Sequence, residues 1–199
     1  CQWLGRAWLA CGVASVVEPG RLPYESRENH EAWTSGRRPG PRLFYAGPQL
    51  DGRQRFFPFA SHVTSDRRLA LELERARLLG YTLIKTYTRM PVTRESVAIR
   101  AAHRLGLPVS SHEIYPAFAL GGDRVEHLRG TSRLGWSSKQ SDGLRMYGDA
   151  VQIVGASGAT IVPTLVVGGG FLDVLLRYPE LDALPQYAAF YSEADRRAL

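Results

Sequence analysis

Six times along the chain a short run rich in apolar or β-branched residues is set against segments with helical periodicity, and that alternation limits the fold more than any other feature. The runs are Val13–Val17, read as a buried strand, then Arg42–Ala46, Thr82–Tyr87, Val109–Ser111, Arg124–Glu126 and Ala159–Val166. Between them, residues 21–38 are polar with room for one short helix, and residues 48–63 read as a long loop holding Phe56, Phe57 and Phe59. A helix starts at Ser65, with Leu69, Leu73 and Ala76 on one face and Gly80 at its end. Thr93 caps another, whose apolar face is Val97, Ala101 and Leu105. Residues 142–158 form a third, with Tyr147, Val151 and Val154 inward, and residues 2–10 a leading helix stopped by Gly12. The tail from Phe171 reads as helical with Pro breaks. Strands separated by helices pair in parallel, so the pattern predicts a parallel α/β sheet or barrel, with its chemistry at the carboxyl ends of the strands.

Composition narrows the function. With 44% apolar residues in 199, the chain can bury a core, yet it is short of the roughly 250 residues of a closed eightfold β/α barrel. No apolar run reaches the roughly 18 residues of a membrane span. The net charge of +6 comes from 23 Arg and only 2 Lys, and the Arg are scattered among acids, as in Leu71–Arg77 (LELERAR). A nucleic-acid reader would gather them in a stripe, so neither nucleic acid nor membrane is an expected partner. The skew also singles out Lys85 and Lys139 as positions where an amine is wanted rather than a charge. Cys1 and Cys11 imply no disulfide framework or metal spacing, so compartment stays open. The chain opens mid-pattern, without Met or a cleavable leader, and a processed or truncated start is expected.

Three strand ends carry unusual residues: Lys85 on the third strand, His112 on the fourth and His127 on the fifth. In a barrel they would converge on one mouth, with side-chain nitrogens within roughly 8 Å of each other. Imidazoles ligate Zn²⁺ well, and a lysine can join them only as a neutral amine or, after reaction with CO₂, as a carbamate whose two oxygens can bridge two metals. The same residues also suit a purely structural role, with the imidazoles hydrogen-bonded in the core and Lys85 paired with Glu113 or Glu126. His103 reads as a solvated helix residue, while His30 and His62 lie in polar or loop segments. Other motifs fail: His112-Glu113 lacks the second His of a metalloprotease helix, Gly155-Ala156-Ser157-Gly158 is misspaced for a nucleophile elbow, and Gly168-Gly169-Gly170 has no phosphate-binding companion.

The stretches GVASVVEPG (12–20), GPRLFYAG (40–47), LIKTY (83–87), GLPVSSHE (106–113), GGDRVEHL (121–128) and GATIVPTLV (158–166), taken in order, resemble the metal-dependent amidohydrolase superfamily, in its branch of imidazolonepropionase-like and prolidase-like enzymes. With LIKTYTRMP, the pattern is similar to members fused behind a β-propeller. The resemblance implies a partial (β/α)8 TIM barrel, about six of eight strand–helix units from the second strand to the seventh, over residues 1–199 and incomplete at both ends. It implies a hydrolase that cleaves carbon–nitrogen bonds of a small molecule (a non-peptide amide, cyclic amide or dipeptide-like substrate) through a metal-activated hydroxide. Lys85 matches the lysine that is carboxylated in many members. His112 and His127 match the histidine ligands of the following strands. The metal so implied is Zn²⁺, one ion or two, with Mn²⁺ or Fe²⁺ as alternatives. Tyr87, Arg89 and Tyr115, just beyond these ends, are the candidate substrate contacts.

Two elements of that family pattern are missing, the first-strand His-x-His pair and the eighth-strand Asp that acts as general base. Asp173, Asp182 and Asp195 follow no suitable strand. The expectation is therefore a fragment with little activity of its own, whose partners would be the missing barrel strands and an upstream propeller. The competing expectation is a non-catalytic binding module derived from an α/β barrel.

Overall fold

A computed structural model describes residues 2–127, 147–164, 176–180 and 185. The expectations for Lys139, the glycine run 168–170, Asp173, Asp182, Asp195 and the helical character of most of the tail lie outside these residues. In chain order the elements are α1 (Gln2–Ala10), β1 (Ser15–Glu18), α2 (Pro23–Thr34), β2 (Arg42–Tyr45), β3 (Leu50–Asp51), β4 (Ser61–His62), α3 (Asp66–Leu79), β5 (Ile84–Lys85), α4 (Val92–Arg104), β6 (Val109–Ser111), β7 (Arg124–Glu126), α5 (Gly148–Ser157) and β8 (Thr160–Val162). A 3₁₀ turn, Phe118–Leu120, stands between β6 and β7, whereas α2, α4 and α5 fill the β1–β2, β5–β6 and β7–β8 crossovers. No described helix is long and apolar enough to cross a membrane.

Every strand pair is parallel, as the alternation requires. One sheet runs β5-β6-β7-β8 and another pairs β1 with β2. The backbone N–H of Tyr45 donates to Thr82 Oγ1 at 2.7 Å, and that of Thr82 donates to the Tyr45 carbonyl at 3.0 Å, so β2 runs beside the approach to β5. The long loop is not structureless: β3 and β4 pair within it, and Leu50 bridges to Thr86 at the end of β5.

α3 forms where its sequence says it should. Ser65 Oγ accepts from the backbone N–H of Arg68, and Gly80 closes the helix in the left-handed conformation at φ 68°. Leu69, Leu73 and Ala76 are buried against Leu43, Tyr45, Val63 and Ile99 in one core. That core separates the outer face of the sheet from the helices.

Four local expectations are corrected. β1 is half-exposed rather than buried, because it pairs only with β2, and its other side faces a cleft of about 580 Å³. The far wall of that cleft holds Arg124 of β7 and Val162 of β8, so the first and last described strands look at each other across it. In α4 the cap position is Pro91 and Thr93 lies inside the first turn. The buried residues of α4 are Glu95, Ala98, Ile99 and Ala102; the expected Val97 and Ala101 pack half-buried against the same core, and Leu105 is exposed. In α5, Tyr147 and Val151 are exposed, and Ala150, Ile153 and Val154 pack inward against Val125 and Phe118. Residues 21–38 hold a helix of 12 residues, α2, longer than the composition suggested.

Candidate functional site

The strand ends bring two of the three expected residues into ring contact. His112, one residue past β6, and His127, one past β7, lie with ring centroids 5.1 Å apart at 73°. Alternation places Lys85, Ser110, His112, Arg124 and Glu126 on one face of the sheet, since Lys85 is in register with Ser110 and Ser110 with Arg124. Ile84, Val109, Ser111 and Val125 project to the other face, toward the helices.

Lys85 is 2% exposed. Its Nζ donates to the Ser111 carbonyl at 2.7 Å and to Ser110 Oγ at 3.4 Å, so the amine sits against the residue that precedes His112. Ser110 Oγ in turn donates to Glu126 Oε1 at 2.8 Å, and Arg124 Nε donates to the same oxygen at 2.7 Å. A serine hydroxyl thus links Lys85 to Glu126. A buried amine needs such partners, because leaving a charge without them in the interior costs several kcal/mol.

On the opposite face a second acid organises the same strand ends. Glu95, in the first turn of α4 and fully buried, accepts hydrogen bonds at Oε1 from Thr86 Oγ1 at 2.7 Å and Ser111 Oγ at 3.1 Å. Thr86 follows Lys85 and Ser111 precedes His112. One carboxylate oxygen thus ties together the two strands on which those side chains stand.

His127 is oriented by Thr164, whose Oγ1 lies 2.7 Å from Nδ1 and 3.3 Å from the Val162 carbonyl. A hydrogen bond at one ring nitrogen fixes the direction of the other, the arrangement that metal-ligating histidines use. His127 and Thr164 both have positive φ, 65° and 52°. For a β-branched Thr this conformation costs about 1–3 kcal/mol, a form of strain concentrated at binding and catalytic positions.

Of the candidate substrate contacts, Tyr87 stands against His112 at 4.9 Å between ring centroids. Burial, aided by the negative charges of Asp51 and Glu113, holds its phenol above the usual tyrosine pKa. Arg89 is exposed on the rim, donating to the carbonyls of Gln54 and Arg55. Tyr115 is 64% exposed and in no ring contact among the described residues. The other histidines lie elsewhere: His30 packs on Tyr45, His62 is exposed on β4, and His103 pairs with Asp123 on the surface. Among the described residues no three His, Cys, Asp or Glu side chains group to hold a metal. Imidazole is a chemically apt ligand for a divalent ion, whereas Lys85 would suit one only as a neutral amine or carbamate. Sequence reasoning did not find Glu95 or Thr164. Their partners are distant along the chain, and neither position carries a motif.

No family model and no curated protein matches this chain. Solved structures do. A Xaa-Pro dipeptidase with bound methionine in its active site is 17% identical, with a TM-score of 0.63, over 97% of this chain and 50% of that one. The fold is that of the prolidases and amidohydrolases. An amidohydrolase is 19% identical over 98% of this chain and 50% of that chain, with a TM-score of 0.63. A prolidase from Bifidobacterium longum is 18% identical over 97% and 47%, also with a TM-score of 0.63. The chain spans about half the length of the structures it matches.

Proposed function

We propose that the chain is the part of a metal-dependent carbon–nitrogen hydrolase that carries Lys85, His112 and His127, arranged as a portion of a (β/α)8 barrel. The observation that carries this reading is the His112–His127 ring contact at the carboxyl ends of adjacent parallel strands, with Lys85 on the strand beside them. His112 and His127 would hold a divalent ion such as Zn²⁺ through ring nitrogens, with Lys85 joining as a carbamate. What the ion supplies when bound is Lewis acidity toward a carbonyl and a lowered pKa for water. The chain's own residues do the rest. Thr164 orients the His127 ring, Glu95 holds the two strand ends in register, and Tyr87 closes the wall beside His112.

The test is metal content after dialysis against Zn²⁺, compared across the parent chain, His112→Ala, His127→Ala and Lys85→Ala. Retention by the parent with loss in both histidine variants is expected. Equal metal content in all four, or none in the parent, overturns the reading. Turnover of an amide by these 199 residues that persists after metal removal would also count against it.

A further inference from the structure

Asp51, the last residue of β3, is fully buried and joins no ion pair among the described residues. Its carboxylate is met by backbone instead. Oδ1 accepts from the N–H groups of Gly52 at 2.8 Å and Arg89 at 2.9 Å, and Oδ2 accepts from that of Phe56 at 2.8 Å. One side chain therefore pins the loop after β3 at two points and the segment after β5 at a third. A Cβ on Gly52 would stand 2.0 Å from the Arg89 carbonyl oxygen, so the two segments are pressed together here. Two acceptor oxygens and no donor are what three N–H groups require, and among side chains of this size only Asp supplies them. The neighbouring guanidiniums do not compete: Arg89 donates to the carbonyls of Gln54 and Arg55, and Arg55 to those of Pro58 and Ala60.

This clamp stands at the outer end of a row of rings. Phe59 stacks on Phe57 at 5.2 Å between centroids. Phe57 and Phe56 meet Tyr87 at 5.4 and 5.7 Å, Tyr87 meets His112 at 4.9 Å, and His112 meets His127. The Tyr87 backbone N–H also donates to the carbonyl of Leu50, the residue before Asp51, at 2.9 Å. Asp51 thus fixes both the loop that carries the phenylalanines and the segment that carries Tyr87. The outer torsion of a histidine side chain is broad, so packing on its ring decides where its nitrogens point. Tyr87 supplies that packing for His112, and both are buried.

We infer that Asp51 is a positioning residue for His112, acting through the Tyr87 ring. The inference deepens the proposed hydrolase reading and rests on it in taking His112 as a ligand.

Asp51→Asn tests it. The substitution keeps the shape but turns one acceptor into a donor, which opposes at least one of the three N–H groups. Ring ¹H and ¹⁵N signals of His112, recorded on the metal-free chain, read the position of the imidazole, and Zn²⁺ titration reads its consequence. In Asp51→Asn the signals should shift and Zn²⁺ should bind about tenfold more weakly. Phe57→Leu, which leaves the clamp intact and removes one ring of the row, should shift the same signals. In a Tyr87→Leu background, Asp51→Asn should change Zn²⁺ affinity by less than about twofold, because the connection is already broken. A residue that only stabilises the fold would give the same loss with or without the Tyr87 ring, and that result overturns the inference. Unmoved His112 signals in Asp51→Asn or in Phe57→Leu overturn it as well, as does loss of the folded state in Asp51→Asn. A parent chain that binds no Zn²⁺ sinks the metal reading instead, and the His112 signals still decide the positioning role.

Discussion

Glu95→Ala removes the one acceptor shared by Thr86 and Ser111. Both hydroxyls are at most 1% exposed, so water cannot replace the lost partner without opening the packing between α4 and the sheet. Hydrogen bonds to a charged acceptor contribute about 1.5–3 kcal/mol each, so two of them place the loss at about 3–6 kcal/mol. For a chain of this length that is a fall in Tm of about 6–24 °C, against a typical total stability of about 5–15 kcal/mol. Glu95→Gln keeps an acceptor oxygen in the same place and should lose less than half as much. Thermal unfolding followed by circular dichroism, with urea titration for the free energies, separates the two. Because the clamp sits beside Lys85 and His112, Zn²⁺ affinity should fall in Glu95→Ala further than global unfolding explains when measured well below Tm, and Glu95→Gln should restore most of it. A loss under about 1 kcal/mol in Glu95→Ala would mean that the two hydroxyls find other partners, and that the carboxylate does not hold the strand ends in register.

Three further perturbations follow from the same geometry. Gly47→Ala puts a Cβ 2.2 Å from the buried Tyr81 ring at a φ of 63°, and should cost about 3 kcal/mol in urea unfolding. Thr164→Val deletes the hydrogen-bond partner of His127 Nδ1, so the ¹⁵N shifts of His127 should change and Zn²⁺ should bind about 10–100-fold more weakly. Tyr81 has a buried hydroxyl with no hydrogen-bond partner among the described residues, and burial raises its pKa above the ordinary 10.0. A raised folded-state pKa gives stability that is full below pH 10 and lost as pH climbs toward the folded value. Tyr81→Phe should therefore flatten the alkaline fall in stability by up to about 1.4 kcal/mol per pH unit, with little change at pH 7. An alkaline arm as steep in Tyr81→Phe as in the parent would assign the fall to other groups.

What the sequence made legible was whatever depends on local chemistry. Ser65 and Gly80 bound α3 because a cap needs only its own helix, and Leu69, Leu73 and Ala76 are buried at the spacing they show. Burial of β1 was misread because it depends on what lies beside a strand, and a β-branched run looks the same at an edge as at a centre. The face of α5 was misread for a related reason. Its sequence, GDAVQIVGAS, is apolar on more than one side, so periodicity does not select the side that meets Val125.

The candidate site divides along the same line. The placement of Lys85, His112 and His127 was legible because each closes a strand, and parallel strands put their carboxyl ends on one side. What holds them in place was not legible, because it lies in partners remote in sequence. Glu95 is 16 residues from Ser111, and Thr164 is 37 from His127. Neither has a chemical mark of its own: an acid in the first turn of a helix and a threonine after a strand are ordinary residues in ordinary places. Their importance comes from the parallel crossovers, which lay α4 over β5 and β6 and set β8 against β7. If that is right, substitutions at Glu95 and Thr164 should shift metal affinity while leaving the ligand side chains chemically untouched, which separates positioning from ligation in a way that replacing the ligands cannot.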